Sequence, residues 1–194
     1  MKGLILLGTV LHTMYRGNPS LRQINLKSHF EAATKFKDNC NCPIQIGQTL
    51  LDLQNFVKSI NTNEDILIIY CGHGVNGSWC IGISKDQLRI ELSKINNKIW
   101  VISDSCISDS MNIVPHRPNT IFISAARIQG KDEYKSAFFT CDGGYLSTTF
   151  YNIYLHFYKN NTQFPDINEL FNKIIQKYCY FSINDLHLPK LLKN

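Results

Sequence analysis

The sequence predicts a three-layer α/β domain on a mostly parallel, six-stranded central sheet. Apolar, β-favouring runs recur at residues 3–10, 44–46, Ile66–Cys71, 99–103, Thr120–Ser124 and 188–192, six in all. The central runs are apolar at consecutive positions, which fits strands covered on both faces. Helix-period patterns separate most of them, and strands alternating with helices build a parallel sheet.

The elements follow in order. Residues 3–10 open the chain after one lysine; no small-residue cleavage site follows and the run is too short to span a bilayer, so it is expected to be the first strand and not a leader. After the short 44–46 run, Thr49 is a plausible N-cap for a helix whose face holds Leu50, Leu53, Phe56, Val57 and Ile60. The Ile66–Cys71 strand runs into Gly72-His73-Gly74. Ser84-Lys85-Asp86-Gln87 has the capping-box pattern and opens a helix burying Leu88, Leu92 and Ile95. The 99–103 strand runs into Asp104-Ser105-Cys106. A helix starts near Tyr145 after Gly143-Gly144, and Asp166 with Glu169 caps another carrying Leu170, Ile174 and Tyr178. Residues 105–119 and 125–143 read as long loops, the kind that shape a cleft at the carboxyl edge of such a sheet. No composition shift, linker or repeat divides the chain, so residues 1–194 are expected to be a single domain.

Composition narrows the function. At 194 residues, with 44% hydrophobic and 18% charged, the chain can bury a substantial core. The net charge of +5 comes from scattered lysines without aromatic interleaving, which argues against nucleic acid as a partner. Seven cysteines, an odd number without a C-x-x-C pair, favour a reduced, cytoplasmic protein over a disulfide scaffold. Cys40-Asn41-Cys42, ahead of Pro43, reads as loop and suggests no site.

The strand ends carry the chemistry. In an open parallel sheet the carboxyl ends of adjacent strands form the ligand crevice, so His73 and Cys106 could face one another there. A thiol beside an imidazole is the minimal set for nucleophilic acyl transfer. Each also has a plain alternative, a buried thiol at a strand end and a glycine-flanked turn histidine. The polar neighbours Asp104, Ser105, Ser108 and Asp109 suit a rim position for Cys106 better than a core one.

Taken together, Tyr70-Cys71-Gly72-His73-Gly74 and Asp104-Ser105-Cys106 resemble the hallmarks of the metacaspase branch of the caspase-like cysteine peptidases, S-G-H-G after the third strand and D-S-C after the fourth. The likeness extends over most of the chain: residues 2–9 match the family's first strand, 21–36 its first helix, 121–127 its fifth strand and following loop, 144–150 its G-x-x-T-x-x-L/F helix start, and 187–191 its closing P-Q-L strand. The resemblance implies a caspase-like sandwich in which Cys106 is the nucleophile, His73 the base, and the backbone N–H groups of Gly74 and Cys106 the oxyanion hole. It implies that Asp104 and Cys71 line the S1 pocket, with Asp104 pairing a substrate Arg or Lys. Asp104 could instead be a strand-end cap.

Departures from the family pattern bear on specificity. Lys27 stands where the second S1 aspartate belongs, and Cys71 replaces a serine. The histidine-to-cysteine gap, 106 − 73 = 33, is shorter than the ≈ 50 of caspases, and their Q-A-C-x-G signature is absent. Asp86, Glu91 and Asp109 are too sparse for a calcium site, and the spacing of Cys71, His73, Cys80 and Cys106 fits no standard zinc finger, so no metal or cofactor is expected. The expected function is cysteine endopeptidase action on proteins or peptides, with weak preference for Arg or Lys at P1. The alternative is a catalytically silent homologue that binds peptides or proteins through the same cleft. No membrane partner is expected, and Lys190 and Lys193 beside the last strand favour a monomer.

Overall fold

The structure, a computed structural model, describes residues 1–8, 19–61, 63–125, 128–129, 133–134, 139–140, 143–161, 163–179 and 189–193. Six strands, β1 (Lys2–Leu7), β2 (Ile44–Gly47), β3 (Ile66–Cys71), β4 (Ile99–Asp104), β5 (Thr120–Ser124) and β6 (Lys190–Leu192), form one sheet in the order β2-β1-β3-β4-β5-β6. The first five are parallel and β6 runs antiparallel to β5. Each expected strand is present. The expected extensions to Thr9 and Val10, to Ala126 and Arg127, and to His187 and Leu188 lie outside the described residues.

Five helices, α1 (Pro19–Asn39), α2 (Leu50–Lys58), α3 (Lys85–Leu92), α4 (Tyr145–Phe157) and α5 (Ile167–Cys179), cover the sheet. Strand alternation divides the core in two. Leu67 and Ile69 of β3 join Trp100 and Ile102 of β4 under α1, α4 and α5, whereas Ile66, Ile68 and Tyr70 join Ile99 and Val101 under α2 and α3. All six residues of β3 and of β4 are buried, as consecutive apolar positions require. Each large aliphatic side chain among them contributes about 1.5–3 kcal/mol by leaving water.

Local capping fixes the helix starts. Thr49 Oγ1 accepts from Asp52 N at 3.2 Å while Asp52 Oδ2 accepts from Thr49 N at 2.9 Å. Ser84 and Gln87 repeat the exchange for α3, and Asp166 Oδ1 accepts from Asn168 N and Glu169 N, both at 2.9 Å, at α5. Three regions hold more structure than the sequence pattern indicates. A small antiparallel meander of Gly74–Val75, Ser78–Trp79 and Ile83–Ser84 follows β3, and 3₁₀ turns at Ser108–Met111 and Val114–His116 occupy the loop after β4. Buried Arg117 anchors that loop, donating to the carbonyls of Leu92, Ile95 and Asn97 and to Thr120 Oγ1. The described parts of 125–143 form two-residue pairs, Ile128–Gln129 with Glu133–Tyr134 and Phe139–Thr140 with Gly143–Gly144.

Candidate active site

The parallel register between β3 and β4 places Cys71 opposite Asp104 at their carboxyl ends. His73 and Cys106 each follow two residues later, so the chain delivers both to one edge. Gly72 N donates to the Asp104 carbonyl at 3.2 Å and keeps the strands in step past the last pair. Gly74 then packs directly on the Cys106 turn. A Cβ at Gly74 would collide with the Cys106 carbonyl and lie 2.7 Å from Ser105 Oγ, so only glycine permits this approach. His73 and Cys106 are both half-buried there. Burial lowers the His73 pKa below that of an ordinary imidazole.

The surroundings hold this edge rigidly. The His73 carbonyl accepts from Tyr70 Oη at 2.5 Å and from Cys80 N at 2.9 Å. Tyr70 stacks on Trp79 of the meander, with ring centroids 4.6 Å apart, and Trp79 Nε1 donates to Ser103 Oγ of β4 at 2.9 Å. On the cysteine side Ser110 Oγ donates to the Ile107 carbonyl at 2.7 Å and accepts from Gly77 N at 2.8 Å, tying the turn after Cys106 to the meander after His73. Ile107 has φ 51° and ψ 30°, a left-handed conformation that a β-branched residue adopts only under constraint from its surroundings. Cys80 is close enough to Cys106 that, with burial, the neighbouring thiol raises its pKa.

A second polar cluster lies behind the first, on the α1/α4 face. Asp104 is fully buried; its Oδ2 accepts from Ser147 N and Ser147 Oγ, both at 2.7 Å, at the start of α4, while Oδ1 has no hydrogen-bond partner among the described residues. Burial pushes its carboxyl up to about 6, the Ser147 bonds opposing. Cys71 Sγ lies 3.3 Å from His29 Nδ1 of α1. Burial raises that thiol, with the nearby Asp104 charge adding, and lowers His29 to about 4, with the His73 charge adding. Gly144 lies over both groups, since a Cβ there would clash with the Asp104 carboxylate and sit 2.8 Å from Cys71 Sγ. Tyr151, whose buried hydroxyl has no partner, feels both charges.

No family model and no curated protein matches the sequence. Solved structures do match, in 79 chains. One of them, described as "structure of pro-sf-caspase-1", aligns over 99% of this chain and 91% of its own length with a TM-score of 0.64 at 9% identity. The fold is caspase-like. On that caspase-like frame the mostly parallel six-stranded sheet and its flanking helices agree with the expectation from sequence.

The structure puts His73, Gly74 and Cys106 at one sheet edge, with Gly74 against the Cys106 turn, and sets Cys71 and Asp104 behind them. It does not bring Lys27 to either group. Lys27 is 78% exposed on α1 and pairs with Glu31 Oε1 at 3.7 Å, one helical turn on. His29 occupies the buried side instead. His29, Ser147 and Gly144 also shape the site, although sequence pattern gives them no role in it. One signal for the first was present: His29, Ala33, Phe36 and Cys40 recur at helical spacing and are all buried, so the histidine sits in an apolar stripe. Among the described residues no group of three His, Cys, Asp or Glu side chains could hold a metal ion, and no helix is long and apolar enough to cross a membrane.

Proposed function

We propose that the protein is a cysteine endopeptidase of the metacaspase-like kind. The observation that carries the proposal is the β3/β4 register, which delivers a half-buried histidine and a half-buried cysteine to one edge and seats Gly74 on the cysteine turn. Cys106 Sγ, as thiolate, attacks the scissile carbonyl carbon. The carbonyl oxygen takes the displaced electron pair and is held by the N–H groups of Gly74 and Cys106, donors worth about 3–4 kcal/mol each in such sites. His73 passes a proton to the leaving amine as the tetrahedral adduct collapses to an acyl-enzyme, then draws one from the water that releases the acid.

For P1, the Asp104 Oδ1 that lacks a partner supports a cationic side chain, Arg or Lys, with Cys71 beside it. Lys27 does not oppose that charge, because its ammonium points to solvent. Asp104 is closed off from water with Gly144 lying over it, so a substrate reaches it only when this cover moves. A peptide series varying P1, run on the native protein and on the Cys106→Ala, His73→Ala and Asp104→Ala variants, tests each assignment. Cleavage after Arg or Lys, lost by about 10³-fold or more without the nucleophile and selectively weakened in Asp104→Ala, is the expected result. Turnover confined to Asp or Glu at P1 overturns the pocket assignment. No cleavage with Cys106 intact and alkylatable overturns the peptidase and leaves the silent, peptide-binding homologue.

A further inference from the structure

We propose that Cys40 and Cys42 are a peroxide-sensitive thiol pair that closes reversibly to a disulfide, at the end of the sheet opposite the candidate active site. Their sulfurs lie 2.8 Å apart, and both are free thiols. A disulfide of about 2.05 Å therefore needs less than 1 Å of further approach. The sequence motif C-x-C did not by itself suggest this, because proximity of the thiols depends on how the corner between α1 and β2 is held. Cys40 N completes the last turn of α1 by donating to the Phe36 carbonyl at 2.9 Å, and the Pro43 carbonyl accepts from Gly3 N of β1 at 2.9 Å. Between these anchors exposed Asn41 donates from Nδ2 to Asn160 Oδ1 at 2.8 Å. The ends and the middle of the tripeptide are all fixed, so both sulfurs face each other beneath the surface turn, 9% and 8% exposed.

The two thiols differ in chemistry. Cys42 Sγ has two hydrogen-bond partners, the Cys40 thiol and, at 3.9 Å, Tyr154 Oη, and these bonds, that of Cys40 first, lower its pKa against the effect of burial. The attacking sulfur is thus Cys42. Its thiolate displaces hydroxide from hydrogen peroxide, giving a sulfenic acid, and the hydroxide takes up a proton to leave as water. Cys40 Sγ then attacks the Cys42 sulfur, the S–S bond forms, and the sulfenic hydroxyl leaves with the Cys40 proton as a second water. Two thiols are oxidised and one peroxide is reduced. A dithiol reductant reverses the change by exchange.

The tryptic peptide 38–58 contains Cys40 and Cys42 and no other cysteine, so the pair can be followed by mass in the intact, folded chain. Native protein is treated with hydrogen peroxide, denatured with iodoacetamide and digested. The expected peptide is lighter by two hydrogens, takes up no alkyl group, and takes up two after reduction with dithiothreitol. In Cys40→Ser the sulfenic acid on Cys42 has no partner, so trapping by dimedone should rise at least about tenfold over the native chain. The proposal fails if peptide 38–58 remains a dithiol at peroxide concentrations that oxidise Cys106, if it is cross-linked to another peptide, or if dimedone labels Cys42 equally in both proteins. None of these readouts depends on peptidase activity.

Discussion

Two histidine–cysteine pairs lie at the same edge of the same sheet, one residue pair behind the other. His73 and Cys106 stand beyond the strand ends, half-buried, flanked by glycine and by a strained residue. His29 and Cys71 stand within the fold, 7% and 2% exposed, with sulfur and imidazole nitrogen 3.3 Å apart. By distance alone the inner pair would pass for a dyad. Burial removes that chemistry, because it raises the Cys71 thiol and lowers His29 to about 4, so neither ion that a thiolate–imidazolium pair needs is stable there. On the proposed reading, position relative to the strand end, more than the presence of both residue types, decides which pair reacts.

The sharpest way to break this comparison is to exchange the roles of the two cysteines. Cys106→Ala should remove peptide turnover by about 10³-fold or more, while Cys71→Ser should keep it within about tenfold, since the proposed role of Cys71 is a pocket wall and not the attacking sulfur. Limited iodoacetamide treatment followed by mass mapping should label Cys106 at least about 10²-fold faster than Cys71. Faster loss of Cys71 would reverse the assignment.

The inner cluster has its own signature in the pH dependence of stability. Asp104 titrates near 6 when folded against 3.8 unfolded, so its ionised form costs stability above about pH 6, and that cost disappears as the pH falls toward 3.8. His29 titrates near 4 when folded against 6.5 unfolded, so its cost is absent above 6.5 and grows as the pH falls toward 4. Each is on the order of 3 kcal/mol, and between pH 6 and 4 the two oppose one another. Asp104→Asn should therefore expose the His29 slope: relative to the native chain, urea-unfolding stability of the variant should drop by about 3 kcal/mol from pH 6.5 to 4. Parallel curves for the two proteins would show that Asp104 is not linked to folding.

What the sequence made legible follows the range of the interactions. The six strands are readable because apolar runs bounded by polar residues need no tertiary information, and the starts of α2, α3 and α5 because their caps are exchanges within three residues. The meander after β3 escapes a periodicity search, since two-residue strands are shorter than any period. The contacts that shape the inner cluster are long-range: Cys71 meets His29 across 42 residues and Asp104 meets Ser147 across 43. Motif resemblance puts Lys27 at the position of the second S1 aspartate, whereas helix phase turns its side chain away from Asp104. Two residues along α1 is more than half a turn, which turns His29 inward and Lys27 out to Glu31.

Two smaller effects would sharpen the contrast between a closed inner pocket and a poised outer edge. Gly144→Ala places a methyl group against the Asp104 carboxylate, 2.7 Å from Cγ and 2.8 Å from Cys71 Sγ. It should cost about 1–3 kcal/mol of unfolding free energy, as overpacking does, and unchanged stability would mean that the pocket already has room for a side chain. The smallest effect is expected at Ile107. Its left-handed φ of 51° costs a β-branched residue about 1–2 kcal/mol, which asparagine largely avoids. Ile107→Asn should then raise stability by up to about 1 kcal/mol, the apolar contact of a half-buried side chain being lost in exchange. Turnover should fall at the same time, because the strained residue follows Cys106 directly and its carbonyl, held by Ser110, fixes the turn that presents the sulfur. Chemical denaturation and kcat/KM measured on the same variant check both halves. A stability loss with turnover intact would show that Ile107 serves packing, and that the edge is set by the meander alone.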